Sequence, residues 1–491
     1  MQISKIAVLV AVLGTVFTVS MMLSVNAKNL GDSSSKPVLQ RMIVLSDIEA
    51  DPDDSQTFIR LFLYANQIEL QGLIATTSVH QKNMAAVSSI EYLIDGYKQV
   101  KTNLALHEEG FPEAKELRAI VKQGLPVYGM QGVGDGKDSE GSDWIIKVLE
   151  QSDPRPLWIS VWGGANTLAQ ALFKLKNNKS EEELNQLISK LRIYTISDQD
   201  DSGAWIRKNF PKLFYIVSPG GYGAATWTGI NSYVKGIDNH TISNQWLLDN
   251  IQQAHGPLGA MYPDVAYGME GDTPSWLSLV PNGLNEPNYP NWGGWGGRYE
   301  LYIPQLKDMD PSGFTGGVVV EPETRAIWTN AIDQYTPPVA GEYGRTLKPG
   351  NQTFKGYKET LWRWRDAIQN DFASRMDWTI KSYKEANHPP VPKLNHDQNI
   401  IVKSGSSFHL DARGSSDPDG DSLSYYWFNY PEVGSMEKQP VKVDSAENMA
   451  RVHVKAPVVT QTETLQFVLQ VTDRGTPALT RYKRVHVKVI P

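Results

Sequence analysis

The sequence predicts an α/β domain on a largely parallel open sheet, followed by a smaller β-sandwich. Three observations carry this. From residue 40 to about 235, apolar runs of strand length alternate with stretches of helical periodicity, the pattern of a parallel sheet with helices on both faces. A proline-rich stretch, His388-Pro389-Pro390-Val391-Pro392-Lys393, then interrupts the chain. Beyond residue 398 the pattern changes to period-two alternation, as in Arg451-Val452-His453-Val454-Lys455, which reads as short strands of a sandwich.

In order along the chain, Lys5 precedes an apolar run over 6–19, and Val25-Asn26-Ala27 resembles a small-residue cleavage site. Residues 1–27 are therefore expected to be a signal peptide, with an uncleaved anchor as the alternative. A polar leader covers 28–37. Strands are expected at 42–45, 70–76, 158–161, 191–196 and 213–217, and helices at 84–97, 143–151, 167–175 and 181–189. Residues 262–300 are rich in Gly, Pro, Asn and Trp, and a loop this long inside a domain is usually functional. Helical periodicity returns at 355–385. The α/β domain is thus expected over 40–386, an extended linker over 387–397 and the sandwich over 398–491.

Composition narrows the function. The net charge of −7 and the lack of a basic stripe give no footprint for nucleic acid. With no cysteine there are no disulfides, thiol nucleophiles or Cys-based metal sites. After signal removal no segment is apolar enough to span a bilayer. The expected location is secreted or periplasmic. Fourteen Trp and 21 Tyr suit either sugar stacking or core packing.

The string Asp47-Ile48-Glu49-Ala50-Asp51-Pro52-Asp53-Asp54 directly follows the first strand. Like charges this close raise each other's pKa, which a divalent cation relieves. The carboxyl end of a strand in an open α/β sheet is where ligands bind. A helix N-cap explains one of these carboxylates, not all five. A second acidic string, Ser197-Asp198-Gln199-Asp200-Asp201, also follows a strand. Asp198 and Asp200 are candidates for sugar-hydroxyl binding or acid catalysis, with Gln199 beside them; a solvated loop with Asx-turns is the alternative. Trp276, Trp292, Trp295 and Tyr299, set among glycines, are candidates to line a sugar cleft, with Arg298 as a substrate contact or an ion-pair partner. Asp417-Pro418-Asp419-Gly420-Asp421 is a turn by its own chemistry; calcium on Asp417, Asp419 and Asp421 is the alternative, although the spacing departs from an EF-hand loop. There is no P-loop, complete dinucleotide fingerprint, zinc-spaced His pair or G-x-S-x-G elbow.

The first acidic string resembles the D-x-D-P-G-x-D-D signature of nucleoside hydrolases, whose carboxylates hold calcium and the sugar hydroxyls. The resemblance places Asp47, Asp53 and Asp54 at the cation, with Asp54 also counted in the chemistry, and Glu49 as the base for the attacking water. Glu49, Ala50 and Asp51 depart from the pattern. Trp158–Ala169 resembles the family's strand–T-G-P-L-T-N–helix segment, implying a calcium-ligating carbonyl at Trp162 and a substrate contact at Asn166. Glu270-Gly271-Asp272 resembles the late H-D-P segment, implying Asp272 as a further ligand, with Gly271 where the family has a His. His80 or Gln81 falls near a sugar-binding Asn of the family. With the C-terminal module, which resembles PKD- and cadherin-like Ig domains, residues 40–491 are similar to the secreted nucleoside hydrolase-like family, some members of which are described as cellulose-binding. The resemblance implies a Rossmann-type sheet plus an Ig-like sandwich, a Ca²⁺ cofactor and a carbohydrate or glycoside substrate. The expected function is a secreted Ca²⁺-dependent glycoside hydrolase. The alternatives are a non-catalytic carbohydrate (cellulose) binder on the same scaffold, or an adhesion protein acting through its Ig-like module.

Overall fold

A computed structural model describes residues 38–491 except 221, 223–225, 310–317, 341–346 and 445. The expected signal peptide and polar leader lie outside the described residues. No helix among the described residues is long and apolar enough to cross a membrane.

The α/β sheet has eight strands: β1 (Gln40–Ser46), β2 (Ile68–Ala75), β3 (Val121–Gln123), β4 (Leu157–Val161), β5 (Leu191–Thr195), β6 (Phe214–Val217), β7 (Tyr299–Tyr302) and β8 (Ile327–Asn330). Their order is β3-β2-β1-β4-β5-β6-β8-β7. All neighbours pair parallel except β7, which runs antiparallel on β8 at the edge. The five strands expected from apolar runs are present. The short strands β3, β7 and β8 carry too few apolar residues to announce themselves.

β1 is flanked by β2 and β4 and is buried from Arg41 to Ser46. Strand order reverses between β1 and β4, so the loops leaving their carboxyl ends diverge and open a crevice. The acidic string leaves β1 at that point, and α1 (Asp53–Phe62) follows it. Separate apolar clusters cover the two faces of the sheet, one containing Met42, Val44 and Phe58, the other Ile43, Leu45 and Leu168.

The C-terminal module packs a four-stranded sheet against a three-stranded one, around a core that includes Trp427, Phe467, Val454 and Val485. The first residues of the expected spacer, 387–390, are packed rather than free, while 391–397 are exposed or half-buried, and residues 39–491 form one compact unit. His388 is buried and stacks on Tyr383 and Trp378, with ring centroids 3.8 and 5.3 Å away, and Val391 bridges to Ser416 in the sandwich. Proline density fixes backbone direction but not what the neighbouring side chains bury. The sandwich also pins the 262–300 loop. Fully buried Arg484 donates to the carbonyls of Leu284 (2.6 Å), Trp292 (2.9 Å) and Gly293 (2.7 Å). Gly283 stands at φ 85°, where a Cβ would lie 2.0 Å from the Tyr482 carbonyl oxygen, so only glycine permits this approach.

Candidate functional site

The crevice beyond β1 is a cavity of about 590 Å³ lined by Asp47, Ala50, Asp51, Asp53, Asp54, His80, Trp162, Gln199, Tyr222, Trp227, Tyr267 and Asp272. Each acid is held by local structure. Asp53 and Asp54 occupy the first turn of α1, where the helix dipole favours negative charge. Ser46, the last residue of β1, donates its hydroxyl to Asp54 Oδ1. The Trp227 indole donates to Asp53 Oδ2 at 2.6 Å. Asp51 Oδ1 accepts the Asp53 amide at 2.9 Å. Asp47 packs on Gly163, where a Cβ would sit 2.5 Å from Asp47 Oδ1.

Asp272 arrives from a distant segment that Glu270 clamps to α1. The Glu270 carboxylate pairs with Arg60 and accepts from Tyr262 (2.7 Å) and Thr273 (2.9 Å), while its amide donates to Gln56 Oε1 (2.9 Å). Glu270 holds φ at 50°, a left-handed conformation uncommon outside glycine. Asp272 Oδ2 is buried with no hydrogen-bond partner among the described residues.

Asp53, Asp54 and Asp272 offer oxygens that all lie within 4.8 Å of one another. Burial, reinforced by neighbouring acids, holds all three carboxyls well above the usual carboxylate range. Burial raises Asp47 as well. No Lys or Arg is among the lining residues. An all-oxygen, acid-rich cradle with an unsatisfied buried carboxylate oxygen fits a hard divalent cation, which takes six to eight oxygens and lowers such pKa values. Asp47, Asp53, Asp54 and Asp272 are the residues that would hold it.

Comparison with known proteins follows this geometry. Residues 41–299 match the family model described as cellulose-binding Sde182, nucleoside hydrolase-like domain. Residues 407–489 match the C-terminal domain of cellulose-binding protein Sde0182. The chain belongs to this family. A solved structure of a nucleoside hydrolase-related hypothetical protein from Saccharophagus degradans, associated with carbohydrate metabolism, is 37% identical to it, with a TM-score of 0.75 over 92% of this chain and 100% of that one. The PKD domain of the KIAA 1837 protein (22% identity, 20% of this chain and 86% of that one, TM-score 0.15) and the effector protein XOO4466 (12%, 60% and 88%, 0.28) are also similar, at scores too low to carry an argument. No curated protein matches.

Within this family member the structure gathers some expected residues and disperses others. Asp47, Asp53, Asp54, Asp272, Trp162, Gln199 and His80 meet at the cavity. The Trp162 carbonyl, expected at the cation, accepts the Gln199 side-chain amide. His80 Nε2 lies 3.2 Å from the Tyr222 hydroxyl. Glu49, expected as the base, is exposed at φ 86° and does not line the cavity; half-buried Asp51 does. Gln81 is a brace, its amide donating to the Ile48 (3.0 Å) and Asp47 (3.3 Å) carbonyls. The Asn166 side chain is consumed by Thr76 (2.7 Å), Thr77 (3.0 Å) and the Val127 carbonyl (2.8 Å).

The second acidic string is structural. Asp198 makes a two-pronged ion pair with buried Arg207 at 2.9 and 2.7 Å. Asp200 Oδ1 accepts the Ser202 amide (2.9 Å) and its Oδ2 the Asn166 amide (3.2 Å), each at the start of a helix. Burial raises Asp200 to about 6, yet it does not line the cavity. The tryptophan-rich loop serves the domain seam. Trp276 and Trp295 are fully buried in the core, and Trp292 stacks on Tyr289 (4.3 Å) and packs at a tilt against His486 (4.6 Å). Arg298 pairs with Asp333 (2.6 Å) and Glu300 (2.8 Å).

The aromatic wall is supplied instead by Tyr222, Trp227 and Tyr267; the Trp162 ring is fully buried in the core. Sequence reasoning missed these three as site residues. Their one available signal was that Tyr222 and Trp227 follow β6 at its carboxyl end. Trp227 also accounts for Gly271, because a Cβ there would lie 1.9 Å from the indole nitrogen. The indole occupies the space that a histidine at 271 would need.

Proposed function

We propose that this protein binds a carbohydrate at the acidic cavity with the help of Ca²⁺ and hydrolyses a glycosyl bond there. The observation that carries the reading is Asp272 Oδ2, buried and without a partner beside Asp53 and Asp54. When bound, Ca²⁺ supplies electrostatic grip on sugar hydroxyls and acidifies water nearby.

The chain's own groups have distinct parts in this reading. Asp51 is half-buried on the wall, and its charge acts on Asp47, Asp53, Asp54 and Asp272. That central, accessible position makes it the base that takes a proton from the attacking water. Trp227 and Tyr267 offer ring faces to a sugar. His80, in contact with Tyr222 at the mouth, is placed to protonate a leaving oxygen. An exported protein would meet polysaccharide rather than free nucleoside. The test is release of reducing sugar from soluble glucans and furanosides. Loss of release with EGTA and in Asp51→Asn is expected. No release from any such substrate sinks the hydrolase reading.

One observation favours a second reading, carbohydrate binding without turnover: Trp227 fills the place where the family resemblance puts an acid-base histidine. Cellulose pull-down that requires Ca²⁺ but is indifferent to Asp51→Asn would select it.

A further inference from the structure

Where the sandwich meets the α/β domain lies a second cavity of about 1140 Å³, nearly twice the 590 Å³ of the acidic one. Tyr335, Phe354 and Trp362 line it from the α/β domain, and Tyr426, Gln470 and Tyr482 from the sandwich. Ligand clefts favour such junctions.

Strand register builds the sandwich side. The strands Ser424–Asn429, Glu463–Thr472 and Thr480–Ile490 lie side by side. Two rows run across them: Tyr426, Gln470 and Tyr482, then Ser424, Thr472 and Thr480. All six residues line the cleft. Side chains alternate along a strand, so these rows point away from the sandwich core of Trp427, Leu469 and Val471. The next row on the same face is Phe428, Val468 and Arg484. There the α/β domain covers the sheet: Val468 and Arg484 are fully buried, and Phe428 packs on Trp364 at 6.2 Å. Beyond that cover the face turns to phenol, amide and hydroxyl, with Tyr426, Gln470, Ser424 and Thr472 half-buried. The α/β side is aromatic. Trp362 packs edge to face with Tyr335 (5.3 Å) and Phe354 (5.4 Å), and those two, paired across neighbouring strands, are half-buried.

The chemistry of the lining selects the ligand. Its charged residues are three Asp and three Arg, so it carries no net formal charge, unlike the acidic cavity. Arg363 is already held by Asp333 (2.8 Å), and Arg365 by the carbonyls of Ser232 (2.8 Å) and Asp238 (3.0 Å). Five side-chain amides, Asn351, Gln352, Asn370, Asn448 and Gln470, supply neutral donors and acceptors. Two lining residues, Trp364 and Asp473, are only 4% and 2% exposed. The Trp364 indole N–H and Asp473 Oδ2 have no hydrogen-bond partner among the described residues. A metal ion would satisfy only the carboxylate and an anion only the indole, whereas hydroxyl groups donate and accept and so serve both. A sugar ring combines a rim of hydroxyls with an apolar C–H face that packs on aromatic rings. We propose that this seam cleft is a second carbohydrate site, holding an extended neutral oligosaccharide without a metal ion. The proposal rests on the reading above only in taking carbohydrate as the ligand class, and it needs neither the acidic cavity nor its chemistry.

The test is calorimetric titration of the full chain in EGTA with cellohexaose, xylohexaose and mannohexaose. Wild type is expected to bind at least one of them, and D53N/D272N to bind it equally well. Tyr426→Ala should weaken this binding about tenfold or more, the cost of truncating an aromatic anchor. Gln470→Ala should weaken it about threefold or more, the cost of a lost hydrogen bond. Far-UV circular dichroism checks that each variant folds, and Gln470→Ala carries the test if Tyr426→Ala does not. Absence of binding in EGTA overturns the proposal, as do folded variants that bind like wild type, or binding that D53N/D272N abolishes. Failure of the cavity reading alone looks different: an oligosaccharide is bound in EGTA and lost in Tyr426→Ala, while no reducing sugar is released and Ca²⁺ shifts no Tm.

Discussion

Two regions of this molecule bury carboxylates, and they treat them in opposite ways. At the domain seam, Asp333 is fully buried between Arg298 (2.6 Å) and Arg363 (2.8 Å) and accepts the Tyr430 hydroxyl (2.6 Å). Asp371 is held by Arg481 (2.6 Å) and the Tyr64 hydroxyl (2.6 Å). Burial pushes both acids up, but the guanidinium charges overcome it, and both end below the ordinary carboxylate range. In the cavity, Asp53, Asp54 and Asp272 are buried as deeply with no guanidinium on the wall, and they end far above that range. Depth is the same and partners differ. Only the set without a counter-charge stays destabilising until something positive arrives, as expected of a binding site.

The largest effect is expected where this contrast is broken at the seam. Asp333→Ala leaves Arg298 and Arg363 buried without their common partner and should cost about 3–5 kcal/mol in urea denaturation. Asp53→Asn in EGTA should do the reverse, leaving stability unchanged or raised, because it removes one of several repelling charges. Equal losses in the two variants would erase the distinction. Next in size is the cation itself. At a concentration of Ca²⁺ a hundredfold above Kd, linkage stabilises the native state by about 2.7 kcal/mol. Asp272→Asn should abolish this rise in Tm.

A smaller effect follows from pH. The folded pKa values of the cavity acids are raised, so above about pH 4 the metal-free native state holds protons that the unfolded chain has released. Its stability therefore falls as pH rises through those raised values. Ca²⁺ displaces the same protons, so the calcium-induced stabilisation should grow as pH rises towards those raised values, by about 1.4 kcal/mol per pH unit for each proton displaced. A rise that shrinks with pH would place the cation elsewhere.

The two regions also differ in how far the sequence reveals them. The cavity acids were legible because Asp47, Asp53 and Asp54 crowd one strand end, and local spacing is what a sequence displays. The partners of Asp333 and Asp371 come from far along the chain, so nothing local distinguishes a paired acid from an unpaired one. The same blindness sent Asp198 and Asp200 to the site: they too follow a strand, but Arg207 and two helix starts claim them. Glycine and tryptophan in the 262–300 loop signalled an unusual surface without saying whether it faces solvent or another domain. Arg484 in the sandwich decides that.

The smallest effect is expected at Glu49, and it tests the contrast within the acidic string itself. Glu49 and Asp51 are two residues apart, and the resemblance to nucleoside hydrolases favours Glu49 for chemistry. The fold assigns them differently. A left-handed φ of 86° at Glu49 goes with an exposed side chain that neither lines the cavity nor touches its acids, whereas Asp51 faces Asp47, Asp53, Asp54 and Asp272. Glu49→Gln should therefore change sugar release and Ca²⁺ affinity by less than about twofold, and Glu49→Gly should stabilise the chain by up to ~1 kcal/mol by relieving the backbone. Asp51→Asn should lower turnover about a hundredfold or more, the usual cost of losing a general base, while the protein still folds and still shifts its Tm with Ca²⁺. If the two residues exchange these phenotypes, the acid that the sequence motif nominates reaches the substrate after all, and the loop must reorganise around φ at Glu49 when sugar binds.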